Sequence, residues 1–500
     1  MNRFTLAAPD TVRRFAADPL PDKAWDNGTG EAEARPRLLS LSVPAHRLSA
    51  ATFLRQSLGR ERFYWAEPGD GLVLAGVGIA AAVTAPPVMR DEDGPAPRPQ
   101  QRFYDVDQGA RALFAGALVR QLAGAAEGLA FAAGDEVARP RLFGGFAFQD
   151  DFVPDNTWSV FNPAEFVLPH YQYARCGNVA HLIINAMVGP EEDPEATWLG
   201  LAEALRARLA LVDAAAPAQL RPYALRYPMT YEMWREMIQR ATGAIHAGVL
   251  QKVVLARVCE LRAPGSIDVA AALDYLDTAY GDSYRFLFEP RPAHAFFGAT
   301  PELLVAKAGR AVTTMALAGS IARGRNATQD DTLAAQLLNS AKDRHEHQLV
   351  VDAVREHLSD MTLDLTVAPE PTVLRLRNIQ HLLTPIRGRL ARPEEGIIPL
   401  VRRLHPTPAL GGVPSDRALA LLRHAEPVPR GWYAAPVGWL DSALDGVFAV
   451  AIRSAVTQHD RAWLYAGAGI VGESLPEREW AETALKFRPM LGALGAEELE

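Results

Sequence analysis

Apolar and polar residues alternate from Arg37 to Val43, with Leu39, Leu41 and Val43 on one side, which is the period of a half-buried strand. Phe63-Tyr64-Trp65 and Leu72 to Val83 predict two more strands across the turn Pro68-Gly69-Asp70-Gly71. Leu142 to Phe148, Ala164 to Ala174 and His181 to Met187 read as strands. Ala110 to Ala125 and Glu195 to Asp213 have helical spacing. Further on, Tyr231 to Ala247 is predicted as a helix with Trp234, Ile238, Ala241 and Ile245 on one face. Gly248 leads into a β-rich run, Lys252 to Arg257. His294 to Gly298, Leu303 to Lys307, Thr313 to Leu317 and Arg377 to Pro385 predict strands, and Asp331 to Leu358 one long helix. Gly446 to Val456 and Ala462 to Val471 predict a hairpin across Thr457-Gln458-His459-Asp460.

The last helix organises the rest. After the glycine turn Gly467-Ala468-Gly469, Ser474 and Glu477 have capping-box spacing, and Pro476 suits the first helical turn. A helix from there puts Glu479, Glu482 and Lys486 on one face. Two carboxylates one turn apart suit a hard divalent cation such as Mg²⁺. The same spacing also describes a plain solvated face.

Three further polar residues interrupt apolar faces. Lys252 shares a strand face with Val254, Ala256 and Val258, which fits a snorkelling edge lysine or a buried functional one. Glu346 shares a helix face with Lys342, Leu349, Val350 and Ala353, so a salt bridge or a metal must answer its charge. Arg453 sits on a strand face of small residues, with room for a carboxylate ligand or for an interstrand ion pair.

Composition narrows the class. The chain has 500 residues, 49% of them apolar and 22% charged, which is a globular balance. A net charge of -8 argues against a broad nucleic-acid surface but permits a local cationic pocket. Cys176 and Cys259 form no zinc-type spacing and read as free thiols. No basic flank precedes an apolar core at the N-terminus, so no secretory signal is expected. The uncharged run Gly71 to Met89, with three glycines and two prolines, reads as buried hairpin rather than membrane span. A cytoplasmic location without membrane partners is expected. Residues 1 to about 36 are polar, Asp91 to Gln101 is a proline-rich loop, and Ala214 to Arg221 is the best candidate boundary. No solenoid repeat, Rossmann fingerprint, P-loop or GxSxG elbow is present.

From about Tyr231 to Leu491 the chain resembles the chorismate-utilising enzymes: isochorismate, salicylate, anthranilate and aminodeoxychorismate synthases. Lys252 to Arg257, Gly298 to Leu304, Ala316 to Ser320, Lys342 to Val350, Arg377 to Thr384, His405 to Pro414, Gly431 to Asp441, Phe448 to Ser454 and Gly467 to Lys486 carry the likeness. The N-terminal part matches loosely, at Phe63-Tyr64-Trp65 and Gly144 to Phe148. The resemblance implies a single large α/β (α+β) unit of the anthranilate synthase component I type. It would have two stacked antiparallel sheets flanked by helices and the site in their cleft. Residues 1–220 would be a divergent N-terminal half and 221–500 the chorismate-binding catalytic region.

The resemblance also implies roles. Glu346 and Glu482 would bind Mg²⁺ directly, with Glu479 a ligand through water or a third carboxylate. Tyr433, Arg453, Lys486 and the Gly467 backbone would hold the substrate's carboxylates. Gly319 and Ser320 would lie near the ring and His381 near C4. Ammonia-using members do not carry a water-activating lysine where this chain has Lys252, so water addition is expected, with no amidotransferase subunit. Lys252, kept neutral by burial or nearby cations, would be the base at C2, and Glu302, kept protonated, the acid at the C4 hydroxyl. Salicylate synthases carry threonine at the position of Ala409. That alanine and Gly431-Trp432-Tyr433 favour isochorismate synthase over salicylate synthase, and Gly431 to Asp441 leans towards menaquinone rather than siderophore synthesis. A silent chorismate- or metal-binding relative is the reading from another class.

Overall fold

A computed structural model of the chain describes residues 36–87, 99–123, 130–133, 135–211 and 224–496. Residues 1–35, most of the proline-rich loop and the boundary at 214–221 lie outside the described residues. The fold is mixed α/β with a large, mainly antiparallel sheet. Among the described residues, no helix is long and apolar enough to cross a membrane.

Lys252–Arg262 runs antiparallel to Arg461–Ile470, with Val253 opposite Ile470 and Ala256 opposite Gly467, and its other edge takes the short strands Gly412–Val413 and Ala224–Arg226. From there hydrogen bonding passes through Ser454–Gln458, His294–Thr300, Tyr284–Arg291, Arg62–Ala66 and Val73–Ala85 to Ala164–Cys176. It continues through Arg141–Phe146, Pro436–Asp441, Gly446–Val450, Leu303–Ala308 and Ala311–Ala322 to Ile379–Leu390. Strands from before residue 212 therefore lie between strands from after residue 224. A side branch adds Val179–Val188 and Arg37–Pro44, and the latter pairs in parallel with Leu118–Ala123. The strand pairs Lys252–Arg262 with Arg461–Ile470 and Ala311–Ala322 with Ile379–Leu390 face one cleft.

Many strands bury both faces, which explains their continuous apolar runs. Phe296 packs in a core with Phe63, Trp158, Phe288 and Trp432, while the next residue, Phe297, packs in a second core with Tyr64, Trp198, Leu273 and Phe487. Two helices frame the cleft. Ala341–Leu358 lies on Ala311–Ala322, and Pro476–Ala493 lies on Arg461–Ile470. The last helix buries Thr483, Phe487, Met490 and Leu491 as one stripe, and Glu479 stands at the head of that stripe. Arg257 docks the helix. Its guanidinium carbon lies 3.7 Å from the centroid of the Trp480 ring, and its Nε donates to Thr483 Oγ1 at 2.7 Å.

Several local expectations give way to the structure. The helix expected at Ala110 to Ala125 runs instead from Gln101 to Phe114, burying Phe103, Val106, Ala110, Leu113 and Phe114. It ends before Gly116, which has φ +75°. The strand Leu118–Ala123 follows. Asp331 to Leu358 is two helices, Ala327–Asn339 and Ala341–Leu358. Ser340 is extended between them, and its Oγ accepts the Asp343 N–H at 3.2 Å, a local cap that outcompetes continuation. The capping box at Ser474 is also absent. The last helix starts at Pro476, as expected, but its N-cap is Leu475, without a side-chain hydrogen bond. Ser474 Oγ accepts the Val471 N–H at 3.2 Å instead, and Glu477 accepts from Tyr231 Oη at 2.8 Å. The strand expected from Gly446 to Val456 breaks at Ala451–Arg453, where Arg453 has φ +51°. Its Cβ direction therefore departs from the alternation assumed for it.

Candidate active site

The cleft encloses about 630 Å³ of atom-free space, part of it open to solvent. Val254, Gly467 and Gly469 form one wall, from the two paired strands. Leu317 to Ser320 and His381 form the opposite wall. Glu346 and Ala409 reach it from the helix Ala341–Leu358 and the loop 405–411. Glu302, Tyr433, Arg453, Glu482 and Lys486 complete the lining. Lys252 and Glu479 do not line it directly. Lys252 is fully buried behind Gly469 and Glu346, and Glu479 is buried beside Lys342.

Three glutamates meet three lysines here. Lys252 Nζ is 2.8 Å from Glu346 Oε1, Lys342 Nζ is 3.1 Å from Glu479 Oε1, and Lys486 Nζ is 2.6 Å from Glu482 Oε1. Burial raises the proton affinity of Glu346, but Lys252, Lys342 and Lys486 outweigh it and hold the carboxyl below its ordinary value. Glu479 moves the other way. Burial and the charge of Glu482 raise it, and Lys342 and Ser474 only partly compensate. Among the described residues, no three His, Cys, Asp or Glu side chains form a ready-made metal cage. An ammonium already stands at each of these carboxylates.

Glu302 lies at the other end of the cleft's chemistry. Burial pushes its carboxyl up to about 7, against the pull of Lys252, Lys486 and Arg453. His381 is held neutral because burial, Arg453 and Lys486 all disfavour its cation. Arg453 Nη2 lies 3.1 Å from His381 Nε2, so that nitrogen accepts, and Nδ1–H donates to the Gly319 carbonyl at 3.1 Å. Ser320 Oγ stands 3.1 Å from the same Nδ1. Gly319, with φ +74°, makes the bulge that sets Ser320 opposite His381. A Cβ at Gly319 would also approach Asp343 Cβ to 3.1 Å. Arg453 Nε is buried without a hydrogen-bond partner among the described residues, an open donor beside the cavity.

Tyr433 stacks on Tyr465, with ring centroids 5.0 Å apart, and burial raises its phenol well above its ordinary value. Lys486 Nζ donates to the Gly467 carbonyl at 2.9 Å, tying the last helix to the strand. A Cβ on Gly467 would lie 3.0 Å from the Leu255 carbonyl and 3.1 Å from Tyr433 Oη, so glycine keeps this wall open.

Sequence reasoning missed some contributors. A Cβ on Gly469 would collide with Glu346 Oε1 and lie 3.1 Å from Lys252 Cε, so the Lys252–Glu346 pair requires glycine there. The glycine was visible in the turn, but its partner comes from a distant helix. Glu426 accepts the Ala256 N–H at 2.8 Å, and Arg430 donates to Val254 O at 2.6 Å and Leu410 O at 2.9 Å. This buried ion pair fills the strand edge beyond Lys252 and joins it to the loop carrying Ala409.

The Chorismate binding enzyme family model matches residues 23–495. The chain is 34% identical over 436 residues to isochorismate synthase MenF of Bacillus subtilis, covering 87% of this chain and 88% of that protein. It is 40% identical over 366 residues to the salicylate biosynthesis isochorismate synthase of Pseudomonas aeruginosa, covering 71% and 75%. The solved structure of MenF, the menaquinone-specific isochorismate synthase from Escherichia coli, has a TM-score of 0.72 at 26% identity, over 93% of this chain and 96% of that one. The chain belongs to the chorismate-binding enzyme family.

Proposed function

We propose that this protein is an isochorismate synthase, an isomerase that converts chorismate reversibly to isochorismate, and that Mg²⁺ is its metal. The observation that carries the chemistry is the pairing of a fully buried lysine with a buried carboxyl that stays protonated up to about pH 7, around one cation-lined cleft. Lys252 takes a proton from water as its oxygen bonds to C2. Both ring double bonds shift by one position and the C4–O bond breaks. Glu302 gives its proton to the departing hydroxyl, which leaves as water. The two groups need opposite protonation states: burial keeps the proton on Glu302, while Lys252 is paired with Glu346. Glu346 lies 2.8 Å from the buried Lys252 nitrogen, and a cation held by that carboxylate would free this nitrogen for the attacking water.

The unpartnered Arg453 Nε supports its part in binding a substrate carboxylate, with Lys486, Tyr433 and the Gly467 backbone. His381, neutral and fixed in one tautomer, faces the C4 side, and Gly319 and Ser320 bound the ring. Ala409 leaves the loop wall apolar where salicylate synthases have a hydroxyl.

The donor set fits Mg²⁺. Glu346, Glu479 and Glu482 offer only hard oxygens, and the repulsion that raises Glu479 beside Glu482 is relieved by a cation. Glu346 and Glu482 would hold the ion directly, with Glu479 through water or as a third carboxylate. Bound there, the ion would anchor and neutralise the ring carboxylate. A coupled assay tests the function: chorismate and Mg²⁺, with and without an isochorismate pyruvate-lyase. Salicylate formed only with the lyase supports isochorismate synthase. Salicylate without it means salicylate synthase, and none in either case means a binding protein.

A further inference from the structure

Two of the three lysines at the acidic residues have places in the proposed mechanism, Lys252 as base and Lys486 at a substrate carboxylate. Lys342 has none. It sits in the first turn of Ala341–Leu358, one turn before Glu346, and its side chain is 33% exposed. Its partner Glu479 is 2% exposed. Glu346 and Glu482 also act on the Lys342 charge.

We propose that Lys342 is a stand-in cation, holding Glu479 in the metal-free protein and yielding it when Mg²⁺ binds, so that this lysine sets the metal affinity of the cleft. The inference rests on the reading of Glu479 as a metal ligand. A buried carboxylate without a counter-charge is costly, and Glu479 also faces the charge of Glu482. Lys342 answers both from the solvent side. Its ammonium is a point charge on a flexible stem, able to withdraw into water without dismantling the helix that carries Glu346. An arginine fork would hold the carboxylate in two places and release it less readily. The ammonium and a dication compete for the same oxygen, so the work of displacing Lys342 is subtracted from Mg²⁺ affinity. The metal-free cleft stays folded with its acids neutralised, and the cost appears as weaker metal binding.

The test is calorimetric titration of the full chain with MgCl₂, without chorismate, for wild type, Lys342→Met, Lys342→Arg and Glu479→Gln. Thermal melts in EDTA run alongside. Lys342→Met should bind Mg²⁺ about tenfold or more tightly than wild type, and its Tm in EDTA should fall. Lys342→Arg should bind no more tightly than wild type. Unchanged or weaker Mg²⁺ binding in Lys342→Met, while Glu479→Gln weakens it, overturns the role of Lys342 alone. Glu479→Gln binding as tightly as wild type overturns the ligand reading and the inference together. Lys342→Gln repeats the measurement if the methionine variant is unstable.

Discussion

Replacing Glu302 with glutamine should stabilise the protein above pH 7 while nearly abolishing turnover. The carboxyl is buried, with its pKa pushed from an ordinary 4.5 to about 7. The folded value is raised, so ionisation imposes no penalty below about pH 4.5, where folded and unfolded chains are both protonated. The penalty grows as pH rises through 7 and is complete above it. At about 1.4 kcal/mol per tenfold change in proton affinity, it reaches about 3 kcal/mol. Glutamine has a similar shape and never ionises, so the variant avoids this loss. Urea unfolding at pH 5 and pH 8 reads the difference: the stability gap between variant and wild type should open by about 2.5 kcal/mol at the higher pH. The same carboxyl is the proposed acid, and an amide cannot deliver its proton. Turnover in the coupled assay should fall by about 10²–10⁴-fold. Wild-type kcat/KM should decline as pH rises through about 7. A variant no more stable than wild type at pH 8 would refute the burial argument, and one with normal turnover would remove Glu302 from the chemistry.

Lys252→Gln should lower kcat by about 10²–10⁴-fold more than it changes KM, and the double variant with Glu302→Gln should lose less than the product of the two; near wild-type turnover would end the water-addition account. Arg453→Lys keeps the charge but loses the planar fork, so KM should rise about tenfold or more; unchanged constants would return Arg453 to a structural partner of His381. Gly469→Ala drives a methyl against the Lys252–Glu346 pair. Its turnover should fall at least about tenfold from misplacement alone, and a variant as active as wild type would show that the pair's geometry does not matter.

Sequence periodicity located most elements because strands and helices here bury faces with regular spacing. Trp234, Ile238 and Ala241 point inward along one helix as their spacing requires. Polar residues on such faces were the useful signal. Lys252, Glu346 and Arg453 each broke an apolar pattern, and all three are buried around one cleft. Their partners were not legible. Lys252 meets Glu346 across 94 positions of chain, and no local period records that contact. Short-range competition caused the errors at helix ends. Ser340 and Ser474 both offer a hydroxyl to a nearby backbone N–H, one splitting an expected helix and the other closing a turn instead of capping. The left-handed residue Arg453 was invisible, since nothing in an alternating run marks a backbone reversal at an arginine.

In the proposed reaction water supplies the new hydroxyl at C2 and the C4 hydroxyl departs. Turnover of chorismate in H₂¹⁸O, with the isochorismate isolated and its mass measured, tests this directly. One ¹⁸O is expected in isochorismate, carried at C2, from the protein and Mg²⁺ alone. Isochorismate formed without ¹⁸O would mean that the original hydroxyl migrates, and would contradict the roles given to Lys252 and Glu302 together.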